Sequence, residues 1–203
     1  MTTIRNVQEV DIPYLYDICL KTGDAGSDAS KYFSDPYLLG HYYAAPYVFF
    51  DQKSCFVVTS NSVPKGYIVA TTDTVAFNAW MESTWLAMLR ERYSRTFSIL
   101  EHETALISLI HRKLDSQEPW FDQYPAHGHI DLLPEIQGKG YGKKLMETLF
   151  SYLRERNVPG IHLGVAGQNK GAIAFYNKMN FSVIKEELWG FILGRYLNGE
   201  TVC

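Results

Sequence analysis

Apolar and polar positions along this chain follow two periods, and each switch between them marks a change of element. Residues 4–8 predict a short strand. Asp11-Ile12-Pro13 predicts a helix start, with an acid at the N-cap and proline in the first turn, running to about Leu20. Lys21 to Ser30 is rich in Gly, Asp and Ser and predicts a loop. A second helix is expected from about Asp35 to Tyr43. β-Branched runs at 54–60 and 66–75 flank Asn61-Ser62-Val63-Pro64-Lys65 and predict a hairpin.

The stretch 78–120 reads differently. Trp80, Met81, Trp85, Met88, Leu89 and Tyr93 fall at helical spacing, as do Ile99, Leu100, Ile107, Ile110 and Leu114. Two helices inserted between strands are expected here. Residues 128–133 predict a strand closed by Pro134. Helix 140–157 has an apolar face of Tyr141, Leu145, Leu149 and Leu153, and Asn157-Val158-Pro159-Gly160 stops it. A strand at 161–165, a helix at 169–179 and strands at 181–185 and 189–196 follow. This alternation predicts an α/β (α+β) architecture: one domain spanning 1–203, with a mixed, twisted sheet of about six to seven strands flanked by helices.

Composition narrows the function classes. Apolar residues make up 46% and charged residues 20%, enough apolar content for a packed core. No apolar run approaches the ~20 residues that span a membrane, and the N-terminus lacks the apolar block of a signal peptide. Cys19, Cys55 and Cys203 are few and widely spaced, so a reducing cytoplasm is expected. The net charge of −3 argues against a nucleic-acid binder. Glu9, Asp11, Asp17, Asp24, Asp28 and Asp35, against Arg5, Lys21 and Lys31, put that whole imbalance in residues 1–50. Such an acidic N-terminal stretch favours a cationic acceptor, with carboxylates of Asp24, Asp28 or Asp35 and tyrosines between Tyr32 and Tyr47 as walls.

The densest chemical signal is Gln137-Gly138-Lys139-Gly140-Tyr141-Gly142, which follows a strand and opens an amphipathic helix. Free N–H groups at a glycine-rich helix start bind anions, and Lys139, Lys143 and Lys144 add positive charge. A dinucleotide fingerprint would need glycine at 143, which is lysine, and no register supplies a P-loop. Alone, this loop is equally an anion site or a turn that needs glycine for sterics.

Gln137–Gly142 resembles the Q/R-x-x-G-x-G/A element of the GCN5-related N-acetyltransferases. Asn169 to Phe181 resembles the family's N-x-x-A-x-x-x-Y-x-K-x-G-F segment, with Asn180 in place of glycine. Asparagine is the best non-glycine substitute at a left-handed helix cap. The resemblance covers about 126–187. Leu20–Gly26, Gly40–Tyr47 and Tyr124–His127 are further similar to bacterial relatives of the C-terminal acetyltransferase-like domain of bifunctional O-GlcNAcase.

The resemblance implies the family's fold, acetyl-CoA as cofactor, and direct attack of a small-molecule or protein amine on the thioester. A monomer or homodimer is expected. The implied cofactor-binding residues are Leu132, Leu133, Gln137, Gly138, Lys139, Gly140, Tyr141, Gly142, Lys143, Asn169, Ala172, Phe175 and Tyr176. An N–H near Leu133 is expected to face the thioester oxygen, before Pro134, which has none. Tyr176 matches the family's tyrosine beside the CoA sulfur; with a phenol near ~10 and a thiol near ~8.5, hydrogen bonding to the departing thiolate is its safer role. Asn169 touches cofactor or caps its helix.

A base is needed, because an amine near ~10 is mostly protonated at neutral pH. His127, His129 and Asp131 share one strand face, and His129 and Asp131 are the candidates. No metal is expected: Leu106 stands where His102-Glu103 would need a second histidine, and His127-x-His129 lacks a third ligand. An acetyl-CoA-binding module without transferase activity is the alternative function.

Overall fold

The structure is a computed structural model, and it describes residues 1–97, 100–114 and 117–197. Seven strands form a single mixed sheet in the order β1-β2-β3-β4-β5-β7-β6. They are β1 (Thr2–Asn6), β2 (Phe56–Ser60), β3 (Val63–Thr71), β4 (Ala126–Leu132), β5 (Gly160–Ala166), β6 (Ser182–Glu187) and β7 (Gly190–Tyr196). All neighbours are antiparallel except β4 and β5. Helices α1 (Ile12–Thr22), α2 (Leu38–Tyr43), α3 (Ala45–Asp51), α4 (Thr74–Trp80), α5 (Leu86–Arg92) and α6 (Glu101–His111) pack on one face. Helices α7 (Tyr141–Arg154) and α8 (Lys170–Lys178) belong to the other. The expected mixed sheet of six to seven strands with helices around it is what the chain forms.

Strand alternation sorts the two cores. Val57, Tyr67 and Val69 face the larger helical layer, while Phe56, Val58, Ile68 and Ala70 face α7. On α7, Leu145, Met146, Leu149, Phe150 and Leu153 are buried, which is the amphipathic stripe legible in the sequence.

The helical insertion is confirmed, with earlier bounds. Asp73 Oδ1 accepts the Ala76 N–H and starts α4 at Thr74, so the expected strand to 75 ends at Thr71. A π-helical turn, Met81–Trp85, joins α4 to α5, and α6 follows. Residues 117–125 form turns rather than helix. Ile99 and Cys203 lie outside the described residues.

Other boundaries also moved. The hairpin turn is the pair Asn61-Ser62, both at positive φ (48° and 67°), rather than a five-residue loop. Pro64 joins β3 at a register shift opposite Thr59, where the missing N–H costs least. Asp11 stands at the N-cap of α1 with Pro13 in the first turn, as expected, but its carboxylate accepts two bonds from Arg5 and one from the Gln8 N–H rather than bonding the amides of α1. Helix α3 was not expected: Pro46 halts α2 and sits in the first turn of a new helix. Asn180 does take the left-handed conformation (φ 60°) that its place in the motif requires.

The feature that positions the site is the brief contact of β4 with β5. They pair only at Ala126↔Ile161 and His127↔His162, then part. His162 is buried there and donates its Nδ1–H to the Tyr124 carbonyl oxygen at 2.7 Å. Burial lowers His162 and His129 to about 4, and lowers His127 further. Between about 4 and the unfolded value near ~6.5, the unfolded chain takes up protons that the folded chain refuses, so stability rises with pH. Tm is therefore expected to fall steadily as pH drops from 6.5 to 4.5, with a shallower slope in His162→Gln. A level Tm across that window contradicts this.

Candidate active site

Where β4 leaves β5, a cavity of about 960 Å³ opens. Its lining includes Gln137, Gly138, Gly140, Gly142 and Lys143, with Asn169, Ala172, Phe175 and Tyr176 from the α8 side. His129 and Asp131, the loop after α1, and α6 complete it. Two motifs some thirty residues apart thus meet at one opening. Lys139, Tyr141 and Leu133 are not on its lining.

Gly138 and Gly140 have φ of 69° and 81°, and a Cβ on either would meet no protein atom within 4 Å. Backbone conformation, not crowding by the protein, demands glycine here, and the space a side chain would fill is left open. Gly140 caps α7 in the left-handed conformation, so the first-turn amides of a 14-residue helix point outward from this cradle. These residues fit the phosphates of a coenzyme. Gln137 differs from the rest: its Nε2 donates to the Leu132 carbonyl at 2.7 Å and reaches Gly26 O at 3.5 Å, tying the loop to the end of β4. Asn169 lines the cavity and also caps α8, accepting the Ala172 N–H at 3.0 Å.

The β3–β4 register runs without a shift from Gly66↔Leu132 to Thr71↔His127, so His127, His129 and Asp131 do share a face. Their surroundings differ. His127 Nδ1 lies 2.7 Å from Thr74 Oγ1, away from the cavity lining. His129 packs edge-on to Tyr43 and Tyr47, and burial holds it neutral at ordinary pH. Asp131 accepts the Tyr67 hydroxyl proton at 2.5 Å. Burial nevertheless raises its pKa, with the Tyr67 bond pulling the other way. Burial thus moves the two groups in opposite directions, His129 down to about 4 and Asp131 up from the ordinary carboxylate range. Tyr67, fully buried opposite Asp131, carried no sequence signal beyond its place in an apolar strand.

Tyr176 is 8% exposed, packs against Phe175 and Phe181, and lines the cavity. Its hydroxyl has no hydrogen-bond partner among the described residues. Burial, and then the charge of Asp131, push its pKa up, so it stays a donor at any physiological pH. The pairing with β3 narrows the choice of an open amide near Leu133. The Leu133 N–H donates to the Lys65 carbonyl at 2.9 Å, and the Leu133 side chain packs into the larger core. Inter-strand bonds alternate along an antiparallel pair, so the amide turned toward the β5 gap is that of Leu132.

A model of the acetyltransferase (GNAT) family matches residues 26–181. The chain belongs to this family. It is accordingly an acyltransferase, of a family that uses acetyl-CoA. The crystal structure of SsHAT superimposes with a TM-score of 0.90 at 35% identity, covering 98% of this chain and 99% of that one. The structure of yncA from Salmonella typhimurium, solved with its cofactor acetyl-CoA, shares the fold: TM-score 0.60, 16% identity, 100% and 98% covered. A 5-NmdU N-acetyltransferase of Pseudomonas phage PaMx11 is 39% identical over 61 residues, 30% of this chain and 41% of that protein. No helix among the described residues is long and apolar enough to cross a membrane.

Gly140→Asp puts bulk and negative charge into the cradle. Calorimetry is expected to show acetyl-CoA affinity reduced by at least about tenfold, the scale of one lost charge-assisted contact. Affinity equal to wild type would move the phosphate site elsewhere.

Proposed function

We propose that this protein is an acetyl-CoA-dependent N-acetyltransferase that acetylates a small-molecule or protein amine by direct attack on the thioester. The observation that carries it is one cavity at the β4–β5 gap whose lining holds the glycine cradle, the partly buried carboxylate of Asp131 and the buried phenol of Tyr176. The segments quoted above support a place in the subgroup similar to the O-GlcNAcase C-terminal domain. Both sheet faces are covered among the described residues, which supports a single acetyltransferase domain, read here as a monomer or homodimer. Free buried thiols at Cys19 and Cys55 support a reducing, cytoplasmic setting.

Each polar group has a role. Asp131 takes the proton of the incoming ammonium, and its raised pKa brings its basicity nearer neutral pH. The Leu132 amide donates to the thioester oxygen as charge develops there. When bound, acetyl-CoA supplies the acetyl group: the nitrogen–carbon bond forms, the carbon–sulfur bond breaks, and the sulfur leaves with the electron pair and the amine's second proton. Tyr176 donates a hydrogen bond to that sulfur and keeps its own proton.

Asp131→Asn is expected to lower kcat/KM by roughly 10²- to 10⁴-fold. In the wild type, kcat/KM should fall on the acid side through a pKa above the ordinary ~3.9, because burial raises this group. A variant as active as wild type would remove Asp131 from the chemistry. Tyr176→Phe should keep fold and acetyl-CoA affinity yet slow turnover by roughly 10- to 150-fold, the worth of one charge-assisted bond. An unchanged rate would leave Tyr176 a core residue. Cofactor binding without thiol release for any amine would instead favour a binding module.

A further inference from the structure

Resting on the N-acetyltransferase reading, we infer that the acceptor is a primary amine carried on a planar aromatic or heteroaromatic ring, seated in the slot walled by Tyr32, Phe33 and helix α6. The slot is part of the same cavity as the glycine cradle. His102, Ala105, Leu106 and Leu109 recur at i, i+3, i+4 and i+7, so one face of α6 looks into it. No carboxylate, lysine or arginine stands in that stripe. Tyr32 and Phe33 extend that wall, with Tyr32 packed on the His102 ring, centroids 4.2 Å apart. Tyr43 stands at the inner end, 5.2 Å from His129.

The charges that a cationic acceptor would use are turned away. Asp35 is taken by Arg92 at 3.2 Å and by the Tyr93 hydroxyl at 2.8 Å, and Asp28 by the Ser30 N–H. Neither lines the cavity; of the acids in the first fifty residues only Asp24 does. That leaves one carboxylate on the loop after α1 and Asp131 at the reacting end. A polyamine or a lysine-rich peptide would leave ammonium groups against apolar walls, and a sugar would leave hydroxyls unpaired. A flat ring buries its faces against such walls at no polar cost and needs only one carboxylate for its amine.

The slot is also held in shape. Glu103 on α6 is fully buried, and its carboxylate accepts the N–H and hydroxyl of Ser34 and the N–H of Asp35. This fixes the segment that carries Tyr32 and Phe33 against α6. A buried carboxylate satisfied by several donors persists only when those donors stay in place, so the slot is preformed.

Ala105 is exposed to the slot, so Ala105→Trp fills it without touching the core. The test compares wild type and this variant with benzylamine, 2-phenylethylamine, tryptamine, spermidine, glucosamine and a lysine peptide. Acetyl-CoA-dependent thiol release is measured, along with calorimetric binding of each amine to the CoA-loaded protein and the Tm of both proteins. The ring-bearing amines are expected to exceed the others in kcat/KM by about tenfold or more. The variant should lose about tenfold in their binding and kcat/KM, with acetyl-CoA affinity and Tm retained. Preference for spermidine, glucosamine or the peptide overturns the inference and leaves the transferase reading standing. Ring-amine binding that Ala105→Trp abolishes, with no turnover of any amine, supports the slot and overturns the transferase reading. Absence of both binding and turnover overturns the two together.

Discussion

The parting of β4 from β5 is the constraint on which the rest depends. Two paired residues hold the strands together at one end, and beyond His127 the edge of β4 is left without a strand partner. Backbone donors and acceptors left open inside a fold are costly unless something bonds them. Here the protein satisfies one itself, through Gln137 to the Leu132 carbonyl, and leaves the neighbouring amide turned into a cavity. A ligand with its own amide groups completes such an edge as an added strand does.

The two layers contribute unlike chemistry to this gap. From the α7–α8 side come the left-handed glycines and the Tyr176 hydroxyl. From the larger helical side come Asp131 and its Tyr67 partner, in a setting that disfavours the ionised carboxylate. Neither layer alone has both the glycine cradle and the Asp131 carboxylate. Helix α6 of the insertion adds a further wall, and Glu103 fastens it to the loop after α1. In the proposed function, the amine and the thioester would thereby be positioned by different parts of the chain.

What the sequence disclosed follows from how local each signal is. The strand–glycine–helix unit and the α8 motif are contiguous patterns with their own periodicity, and Asn180 could be read as a left-handed cap from its neighbours alone. Of the carboxylates offered as pocket walls, Asp24, Asp28 or Asp35, only Asp24 lines the cavity, because the partners of the other two, Ser30, Arg92 and Tyr93, are decided by loop geometry and by contacts nearly sixty residues away. Tyr67 escaped notice since its role exists only through register with Asp131. The sequence could place an open amide only near Leu133; that it is the Leu132 amide follows by alternation from the pairing of Leu133 with Lys65.

Amide hydrogen exchange along β4 tests the central claim most directly, read with and without saturating acetyl-CoA. The Leu132 amide is predicted to exchange fast in the free protein and to become protected on binding, while Asp131 and Leu133, paired with β3, stay slow in both states. A Leu132 amide already protected in the free protein, or unchanged by acetyl-CoA, would contradict the account.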